Sequence, residues 1–442
     1  MESLLNKLTS LAKRRGLIFQ NSEIYGGLAS TWDYGPIGAE LKKNIKDYWW
    51  NYHVYQRDDI VALESSILSL NKVWETSGHT QNFSDPLLEC KECNARFRSD
   101  VLDNTQGICP TEKCSNSQFG DPREFNMMFK TNIGPVVSDT SEIYLRPETA
   151  QGIFVNFENI LNTSRRKIPF GVAQIGKAFR NEITTGNFIF RTREFEMMEI
   201  EYFVKPEDSE KYYAEWINNS MEFILSLNIN KSNLRLREHT KEDLSHYSKG
   251  TTDIEYKFPW GWAELQGIAN RGSFDLDAHS KSASKNFSIF EESTKSRYTP
   301  YVIEPSIGLD RLLLITLLDA YTEEKLESKD ETRTVLKLSP KISPIKIAIL
   351  PLSKDSKLSE LSKKIQKDLI NKGNLGKIEY DETQSIGRRY RRQDEIGTPY
   401  CVTIDFETIN DNCVTIRHRD SMDQERININ DLPQKLTSEI YN

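Results

Sequence analysis

Four of the six cysteines lie within about 25 residues of one another, as Cys90, Cys93, Cys109 and Cys114. Two close cysteine pairs, separated by about fifteen residues, can bring four thiolates around one ion, which is the tetrahedral sulfur site that zinc favours. Unrelated buried thiols would not be concentrated in this way, and disulfides are rare in reducing compartments. The spacing therefore predicts a structural zinc site, and its second pair is spaced more widely than the commonest two-residue form. Cys401 and Cys413 are expected to be ordinary core residues.

A second set of residues could line a ligand site on a β-hairpin. Side chains of like parity share one face of a strand, which groups Gln174, Gly176, Ala178, Arg180 and Glu182. On the return strand, Phe195, Met197, Glu199 and Glu201 share a face, so that a ring and two carboxylates lie along the same site. The alternative is a salt-bridged surface, but such a face gains nothing from the small residues, whereas a ligand needs the space above them.

A third set lies in the segment 301–311, where a strand is expected to end at Glu304 and a turn containing Pro305 and Ser306 leads into an apolar helix. Arg311 falls in the first turns of that helix. The amino end of a helix favours anions, and an arginine there can bind polyphosphate or stack on a purine. A helix start capped by Ser306, with no ligand, is compatible with the same pattern.

These residues must be positioned by two different folding units. Helical periodicity covers 1–15, 37–52 and 207–227, and the strand candidates between them favour an α+β domain on an antiparallel sheet. Prolines at 340 and 344 predict an extended linker over 338–344. Strand candidates at 345–350, 377–380 and 400–406, with a helix over 356–371, then predict an α/β module on a mostly parallel sheet.

Length and composition exclude several classes of protein. A chain of 442 residues with 37% hydrophobic and 28% charged residues suits two to four folded domains, not a disordered or fibrous protein. No apolar run approaches the roughly 20 residues of a membrane span, and no signal peptide is evident, which predicts a cytoplasmic protein. The net charge of −7 opposes nucleic-acid binding at first sight. However, 345–442 holds 16 basic and 16 acidic residues, so the acidity lies entirely in the first part.

The motifs carry a family resemblance. Arg180-Asn-Glu182 with Phe195 resembles the second signature motif of class II aminoacyl-tRNA synthetases, and Gly308-Leu-Asp310-Arg311 resembles the third. Almost the whole chain is similar to the bacterial-type dimeric glycyl-tRNA synthetases, through Tyr25-Gly-Gly, Trp32-Asp-Tyr-Gly-Pro36, Ser77-Gly-His79, Leu145-Arg-Pro-Glu148, Trp262-Ala-Glu264 and Glu304-Pro-Ser306. One departure is Asn71, which stands where the first class II motif usually has a proline.

The resemblance implies a fold and a domain plan. We expect an α+β class II catalytic domain over 1–340, with a zinc-knob-like insertion at about 88–120 and a helical insertion at about 205–255. An α/β anticodon-binding domain over 345–442 is expected to follow, and the active protein is expected to be a homodimer.

The resemblance also implies the reaction, in which ATP and glycine form glycyl-adenylate and the glycyl group passes to the 3′ end of tRNA(Gly), with Mg²⁺ as the companion of ATP. Arg180, Arg311 and Glu182 match the catalytic positions, with Arg180 on the α-phosphate, and Phe195 and Arg311 on the two faces of adenine. The ATP-binding positions are Arg180, Asn181, Glu182, Phe190, Arg191, Arg193, Phe195, Glu264, Leu265, Gly308, Asp310 and Arg311. The glycine-binding positions are Arg98, Glu148, Phe195, Glu199, Glu304, Ser306 and Gly308.

In the last domain, Arg388, Arg389, Tyr390, Arg391 and Arg392 form a run that suits phosphate contacts and base stacking with tRNA. A solvated face is the alternative for at least two of these arginines. For the whole chain, the alternatives are a synthetase-like RNA-binding regulator without activity, a zinc-ribbon nucleic-acid binder, and a class I synthetase suggested by Lys281-Ser-Ala-Ser-Lys285. A class I synthetase is disfavoured because the chain has no Gly-rich phosphate loop. A zinc ribbon would explain only a small part of the chain.

Overall fold

The computed structural model describes residues 3–99, 102, 107–111, 114–135, 141–183, 186–240, 244–245, 247–325 and 332–441. Met1 and Glu2 of the first predicted helix, and parts of the predicted insertion 88–120, lie outside these residues. Among the described helices, none is long and apolar enough to cross a membrane. The helices of the first part are α1 (Leu4–Arg14), α2 (Pro36–Trp50), α3 (Asn71–Thr76), α4 (His79–Asn82), α5 (Ala150–Phe154), α6 (Phe157–Ser164), α7 (Ser209–Ser226), α8 (Phe274–Ala283) and α9 (Leu309–Ala320).

Short strands precede and surround the main sheet. They are β1 (Ile18–Gln20), β2 (Trp32–Tyr34), β3 (Ile60–Ala62), β4 (Leu68–Ser69), β5 (Ser84–Glu89), β6 (Arg96–Arg98), β7 (Arg123–Asn126), β8 (Lys130–Asn132) and β9 (Glu142–Leu145). Strands β6, β5 and β7 form a three-stranded sheet that carries the cysteines, and β4, β9 and β8 form another. This small sheet extends beyond the predicted insertion at 88–120, since β5 begins at Ser84 and β7 ends at Asn126.

The main sheet has seven strands in the order β12-β13-β14-β17-β11-β10-β3. Its long strands are β10 (Phe170–Phe179), β11 (Glu194–Val204), β12 (Leu234–Glu238), β13 (Gly250–Phe258), β14 (Gly261–Gly272) and β17 (Tyr301–Gly308). These pair antiparallel with one another, and only the short β3 pairs parallel, with β10. The prediction of an antiparallel sheet is confirmed. Two hairpins flank it, β15 (Ile289–Glu291) with β16 (Ser296–Tyr298), and β18 (Tyr321–Lys325) with β19 (Thr332–Leu336).

The two faces of this sheet differ in chemistry because side chains alternate along each strand. One face packs against α2, α7 and the apolar helix α9 in the largest hydrophobic core, which includes Met198, Ile200, Ile303 and Leu313. The other face packs partly against α5, α6 and α8 through Phe157, Phe203 and neighbouring residues. The rest of this second face stays open, and the candidate site lies there.

Two predictions about local structure need correction. Among the described residues of 205–255, the α-helix is α7, with 3-10 turns at Pro206–Asp208 and Lys231–Asn233. The second half of the segment contributes β12 and part of β13 to the main sheet. The strand expected to end at Glu304 continues to Gly308. Pro305 lacks an N–H, yet the strand lies between β11 and β14, and the ladder to β11 resumes at Ser306, so the proline interrupts the pairing locally without ending the strand.

The C-terminal unit contains a five-stranded sheet in the order β21-β20-β22-β23-β24. Its elements are β20 (Ile347–Pro351), α10 (Ser356–Lys372), β21 (Ile378–Tyr380), α11 (Ile386–Ile396), β22 (Tyr400–Ile404), α12 (Thr408–Asp411), β23 (Cys413–His418), β24 (Gln424–Asn428) and α13 (Leu432–Tyr441). The predicted α/β order is confirmed, but the sheet is mixed and not mostly parallel. Strands β22, β23 and β24 pair antiparallel, with β22 and β23 joined through the short helix α12 and β23 and β24 joined by a turn.

The linker over 338–344 is packed and not a solvated spacer. Leu338, Ile342 and Ser343 are buried. The main-chain oxygen of Leu338 accepts a hydrogen bond from Arg419 at 2.8 Å, and that of Ser343 accepts one from Asn44 at 2.8 Å. The expectation of an extended linker is therefore wrong, because both folding units supply donors to its carbonyl groups.

Candidate active site and cysteine cluster

A cavity of about 310 Å³ opens on the uncovered face of the main sheet. The strands β11, β13, β14 and β17 supply half of its lining residues. It brings together most of the residues predicted for ATP and glycine, namely Glu148, Arg180, Glu182, Phe190, Arg191, Phe195, Glu199, Glu264, Leu265, Glu304, Ser306, Gly308, Asp310 and Arg311. It also has lining residues that the sequence did not single out, among them His239, Tyr247, Thr251 and Asp253. Nε2 of His239 lies 2.7 Å from Oδ2 of Asp253.

The hairpin register places the predicted residues as the parity argument required. Gln174 lies opposite Glu199, Gly176 opposite Met197, and Ala178 opposite Phe195. The reason given for the small residues is wrong at Gly176, however. A Cβ at Gly176 would lie 2.2 Å from Nη2 of Arg146, so the space above this glycine is filled by that guanidinium and not by a ligand. Arg146 is buried and donates to the main-chain oxygens of Lys177 and Ser65.

Arg180 stands at one end of the cavity between two rings. Its guanidinium carbon is 5.2 Å from the centre of the Phe83 ring and 5.4 Å from that of Phe195. Its Nε donates to the main-chain oxygen of Pro147 at 3.1 Å. These contacts orient the guanidinium so that its remaining donors can bind an anion.

Glu182 lies near Arg180 and has an incompletely satisfied carboxylate. Burial raises the pKa of Glu182 above its usual value, although Arg191 and Arg180 act in the opposite direction. Its Oε2 is buried and has no hydrogen-bond partner within the described part of the chain. A buried acceptor of this kind is suited to a donor on a bound ligand.

Arg311 lies on the opposite lining and contacts the ring of Phe190, a contact that the sequence did not predict. Its guanidinium carbon is 4.4 Å from the centre of the Phe190 ring, and its Nη1 donates to Oε2 of Glu264 at 3.2 Å. Partial burial raises the pKa of Glu264, but Arg311 outweighs this and holds the pKa below its usual value. Phe190 therefore packs against one face of the Arg311 guanidinium, and the other face is left for stacking.

Three carboxylates lie deeper in the cavity. Glu199 accepts hydrogen bonds from the main-chain N–H of Thr149 at 2.7 Å and from Ser306 Oγ at 2.8 Å. Glu148 accepts from Gln151 at 3.1 Å and contacts Nε2 of His79 at 3.2 Å. The third carboxylate, Glu304, receives both of its hydrogen bonds, at 2.9 Å each, from Nη1 of Arg271.

The charges around these carboxylates set their protonation. Burial alone would raise the pKa of Glu148, but His79 and Arg271 outweigh it and hold the pKa of Glu148 well below its usual range. For Glu304, burial raises the pKa and Glu199 adds to the effect, so that Arg271 only partly offsets the shift. Arg271 was missed at the sequence level, because the chain around it shows no motif and its partner Glu304 is 33 residues away.

Some predicted residues lie outside the cavity lining. Arg193 donates to the main-chain oxygens of Ala29 at 3.1 Å and Glu182 at 3.3 Å, and so joins two loops of the protein. Asn181 is linked through its main-chain N–H to Met127, and Arg98 forms an ion pair of 3.3 Å with Asp85. The charges of Arg98 and Asp85 nevertheless affect the pKa of Glu182, which Asp85 raises and Arg98 lowers.

Asp310 lines the cavity, but protein groups bind its carboxylate. Lys42 contacts Oδ1 at 2.8 Å, the Tyr34 hydroxyl also donates to Oδ1, and the main-chain N–H of Glu196 donates to Oδ2 at 2.9 Å. Asp310 therefore joins α9 to α2 and β11, which positions Arg311.

The four clustered cysteines converge as the spacing predicted. Their sulfur atoms all lie within 4.8 Å of one another. The Sγ atoms of Cys90 and Cys114 are 3.8 Å apart, and those of Cys93 and Cys109 are 3.6 Å apart. Four sulfurs at about 2.3 Å from a tetrahedral zinc ion would be about 3.8 Å apart. The side chain of Asn116 donates to Cys90 at 3.4 Å, the kind of outer contact that supports a thiolate ligand.

The residues of the basic run in α11 differ in exposure and in their contacts. Arg389 is buried and donates to the main-chain oxygens of Asp381 and Leu352. Tyr390 contacts Thr403 and lies under Arg417. Arg392 is held by Asp381 and the main-chain oxygen of Thr383. Arg389 therefore cannot contact a ligand in solvent, whereas Arg388 is exposed and Arg391 half-buried.

Comparisons with known proteins agree with this geometry. The description "tRNA synthetase class II core domain (G, H, P, S and T)" matches residues 114–320, and "Anticodon binding domain" matches 346–439. The antiparallel sheet with its arginine and carboxylate cavity is thus that of a class II aminoacyl-tRNA synthetase.

Curated relatives narrow the class. The chain is 52% identical to the glycine–tRNA ligase of Acetivibrio thermocellus, over 98% of this chain and 97% of that protein. It is 51% identical to that of Thermobifida fusca and 52% identical to that of Borreliella burgdorferi, each over 99% of this chain and 98% of the relative. The chain belongs to the glycine–tRNA ligase family.

Proposed function

We propose that this protein activates glycine with ATP and transfers the glycyl group to the 3′ end of tRNA(Gly). The observation that carries the proposal is that one cavity has arginines at one end and buried carboxylates at the other. Along β11, Phe195 precedes Glu199 by four residues, or about 13 Å at ~3.3 Å per residue. This distance separates a nucleotide end, near Arg180, from an ammonium end, near Glu199.

At the nucleotide end, charge stabilisation matters more than proton transfer. The glycine carboxylate attacks the α-phosphorus of ATP, and the bond to pyrophosphate breaks. Arg180 holds the α-phosphate oxygens as this occurs, Arg191 neutralises the outer phosphates, and the orphaned Oε2 of Glu182 accepts a hydrogen bond from the adenine amino group. Adenine lies between Phe195 and the free face of Arg311. Mg²⁺ supplies further neutralisation when bound with ATP, and the half-exposed carboxylate of Glu264 offers the oxygen donors it prefers.

At the ammonium end, the pocket must recognise a substrate that has no side chain. Glu148, Glu199 and Glu304 surround the ammonium, with Ser306 fixed by its hydrogen bond to Glu199. An ammonium held tightly by several carboxylates brings the α-carbon against the pocket wall, where a methyl group would overpack. In the second step, the 3′-hydroxyl of tRNA attacks the glycyl carbonyl carbon, and AMP leaves.

The remaining assignments extend the same proposal. The four cysteines hold a structural Zn²⁺, since their sulfur distances fit its tetrahedron.

Residues 1–340 form the catalytic domain and 345–442 the anticodon-binding domain, where Arg388 and Arg391 contact tRNA. A homodimer is supported by three exposed apolar side chains, Tyr55, Leu68 and Leu70. The six cysteines form no disulfides, which suits the reducing cytoplasm.

Glycine-dependent exchange of pyrophosphate into ATP tests the proposal. We expect exchange with glycine and none above background with alanine. A folded protein that shows no exchange with glycine, yet binds tRNA, would instead be an inactive regulator and would refute the proposal.

A further inference from the structure

One carboxyl group beneath the glycine pocket has no assigned role. Glu201 lies on β11, two residues after Glu199 and on the same face of the sheet, and its side chain is 0% exposed. Neither of its carboxyl oxygens receives a hydrogen bond from any donor in the part of the chain that the structure describes. An ionised carboxylate buried without donors is strongly disfavoured.

The position opposite Glu201 is another carboxyl. Strands β11 and β17 pair with Glu199 opposite Ser306 and Tyr202 opposite Ile303. The same register places Glu201 opposite Glu304, where the proline at 305 interrupts the ladder. Residues directly opposite in antiparallel strands have Cβ atoms about 5 Å apart. Two buried carboxyl groups at this separation share a proton, because they cannot both be ionised.

The hydrogen bonds decide which of the two holds the proton. Both oxygens of Glu304 accept hydrogen bonds from Arg271, and both oxygens of Glu199 also accept hydrogen bonds. The oxygens of Glu201 accept none within the described residues. Arg271 stabilises the ionised form of Glu304 and offsets part of the rise in its pKa, whereas no donor stabilises an ionised Glu201, so the proton of the opposed pair lies on Glu201. The charged groups that face Glu201 are Glu199 on its own strand, Glu304 on β17, Arg271 at the end of β14 and Asp275 on α8. Burial and the three carboxylates raise the pKa of Glu201 well above its usual value, and Arg271 does not reverse this.

We propose that Glu201 is a positioning residue of the glycine pocket, a protonated carboxyl group that lies beside Glu199 on one face of β11, opposite Glu304 on β17, and donates a hydrogen bond to Glu304. The inference rests on the proposed glycine-activating function. Its consequence is that Glu304 keeps its negative charge and its orientation for the ammonium, because the proton on Glu201 removes the repulsion between the opposed side chains.

Isosteric variants test the role of the proton. In glycine-dependent pyrophosphate exchange, Glu201→Gln, which keeps a neutral donor, should change the KM for glycine less than about threefold. Glu201→Met, which fills the space without a donor, should raise that KM at least about tenfold with a smaller effect on kcat. Glu199→Gln is the positive control, with a tenfold or greater rise. Glu207→Gln, at an exposed glutamate just after β11, is the negative control and should leave the KM for glycine unchanged.

Two outcomes of this experiment would overturn the proposal. If Glu201→Gln raised the KM as much as Glu199→Gln, Glu201 would be an ionised ligand of the ammonium. If the Met and Gln variants behaved alike, Glu201 would only fill space. Absence of exchange in the wild-type protein would instead refute the proposed function, so the two failures are distinguishable.

A second measurement detects the proton itself. A free glutamate has a pKa of about 4.3, so the unfolded chain releases this proton while the folded protein keeps it. The stability that the neutral form provides is lost as pH rises through the folded pKa. Between pH 6 and 9, the melting temperature of the wild type should therefore fall relative to that of Glu201→Gln, and a constant difference would contradict the proposal. Infrared spectra of the wild type at pH 7 should show a protonated-carboxyl band even if a variant fails to fold, and its absence would also contradict it.

Discussion

Arginine side chains with the same chemistry have different roles in this molecule because their partners differ. The guanidinium of Arg180 contacts two rings and one carbonyl group, which leaves donors facing the cavity. In Arg193, two donors are bound to main-chain oxygens of the protein. Arg389 is buried among carbonyl groups of the last domain. Only arginines with free donors at the cavity can bind phosphate, so residue type and motif position are not sufficient to assign a role.

We predict that Arg180→Ala lowers the rate of glycine-dependent pyrophosphate exchange at least about 100-fold, the cost of removing one donor from a developing oxyanion. The affinity for tRNA should remain nearly unchanged, because Arg180 lies in the cavity and not in α11. Exchange kinetics and a tRNA filter-binding titration measure the two effects. Arg166→Ala, at an exposed arginine between α6 and β10, is the matched control and should retain both. Equal losses of exchange and tRNA affinity in Arg180→Ala would contradict the assignment.

At the scale of elements, strand register determines which side chains meet. The antiparallel pairing of β10, β11 and β17 brings Gln174, Glu199 and Ser306 into one row across the sheet. Around this sheet, the small sheet of β5, β6 and β7 reaches the same site, because Asp85 and Arg98 lie on β5 and β6 and their charges reach Glu182. The cysteine cluster therefore holds a sheet that borders the nucleotide end of the cavity.

For this cluster, we predict about one zinc ion per chain in protein purified without chelator. Cys109→Ser should lose the ion and lower the melting temperature, since a structural zinc site contributes directly to folding. It should also raise the KM for ATP, because the sheet beside Glu182 loses its support. Metal analysis after gel filtration, thermal unfolding and exchange kinetics measure these effects. Cys413→Ser, in the last domain, is the control and should keep the ion. Full zinc loading in Cys109→Ser, or well under one ion in the wild type, would contradict the site.

At the scale of the whole molecule, a buried ion-pair network centred on Asp394 joins the two folding units through Arg333. Asp394 on α11 receives Arg333 from β19 at 2.9 Å and Arg417 from β23 at 2.9 Å. All three side chains are buried. On the neighbouring surface, Arg14 at the end of α1 and Arg15 directly after it contact Glu395. Helix α11 thus carries the exposed Arg388 near one end and the contacts to the first folding unit near the other.

We predict that Asp394→Ala destabilises the protein by about 3 kcal/mol or more, because it leaves two guanidinium groups buried without their carboxylate. The rate of tRNA charging should fall more than the rate of pyrophosphate exchange. The cavity residues are far in sequence from α11, whereas charging also needs the anticodon-binding domain, whose contacts to the first unit through α11 are lost. Thermal unfolding and the two assays give these values. The exposed pair of Lys43 and Asp47 provides the control, and Asp47→Ala should change stability by less than about 0.5 kcal/mol. Similar losses in both variants would show that the buried network does not join the units.

The sequence by itself determined the local patterns and the family. Alternation along 170–179 and 194–204 predicted the shared faces correctly, because the period of two belongs to every strand, whereas Arg180 and Glu182 lie beyond the end of β10. The cysteine spacing predicted the convergence of the four sulfurs, and the ordered motifs indicated the synthetase class. The tertiary structure decided what occupies the space between distant segments. It placed Arg146 above Gly176, packed the linker at 338–344, buried Arg389 and set Glu201 opposite Glu304. These outcomes depend on contacts between residues far apart in the chain, and neither periodicity nor motif spacing contains that information.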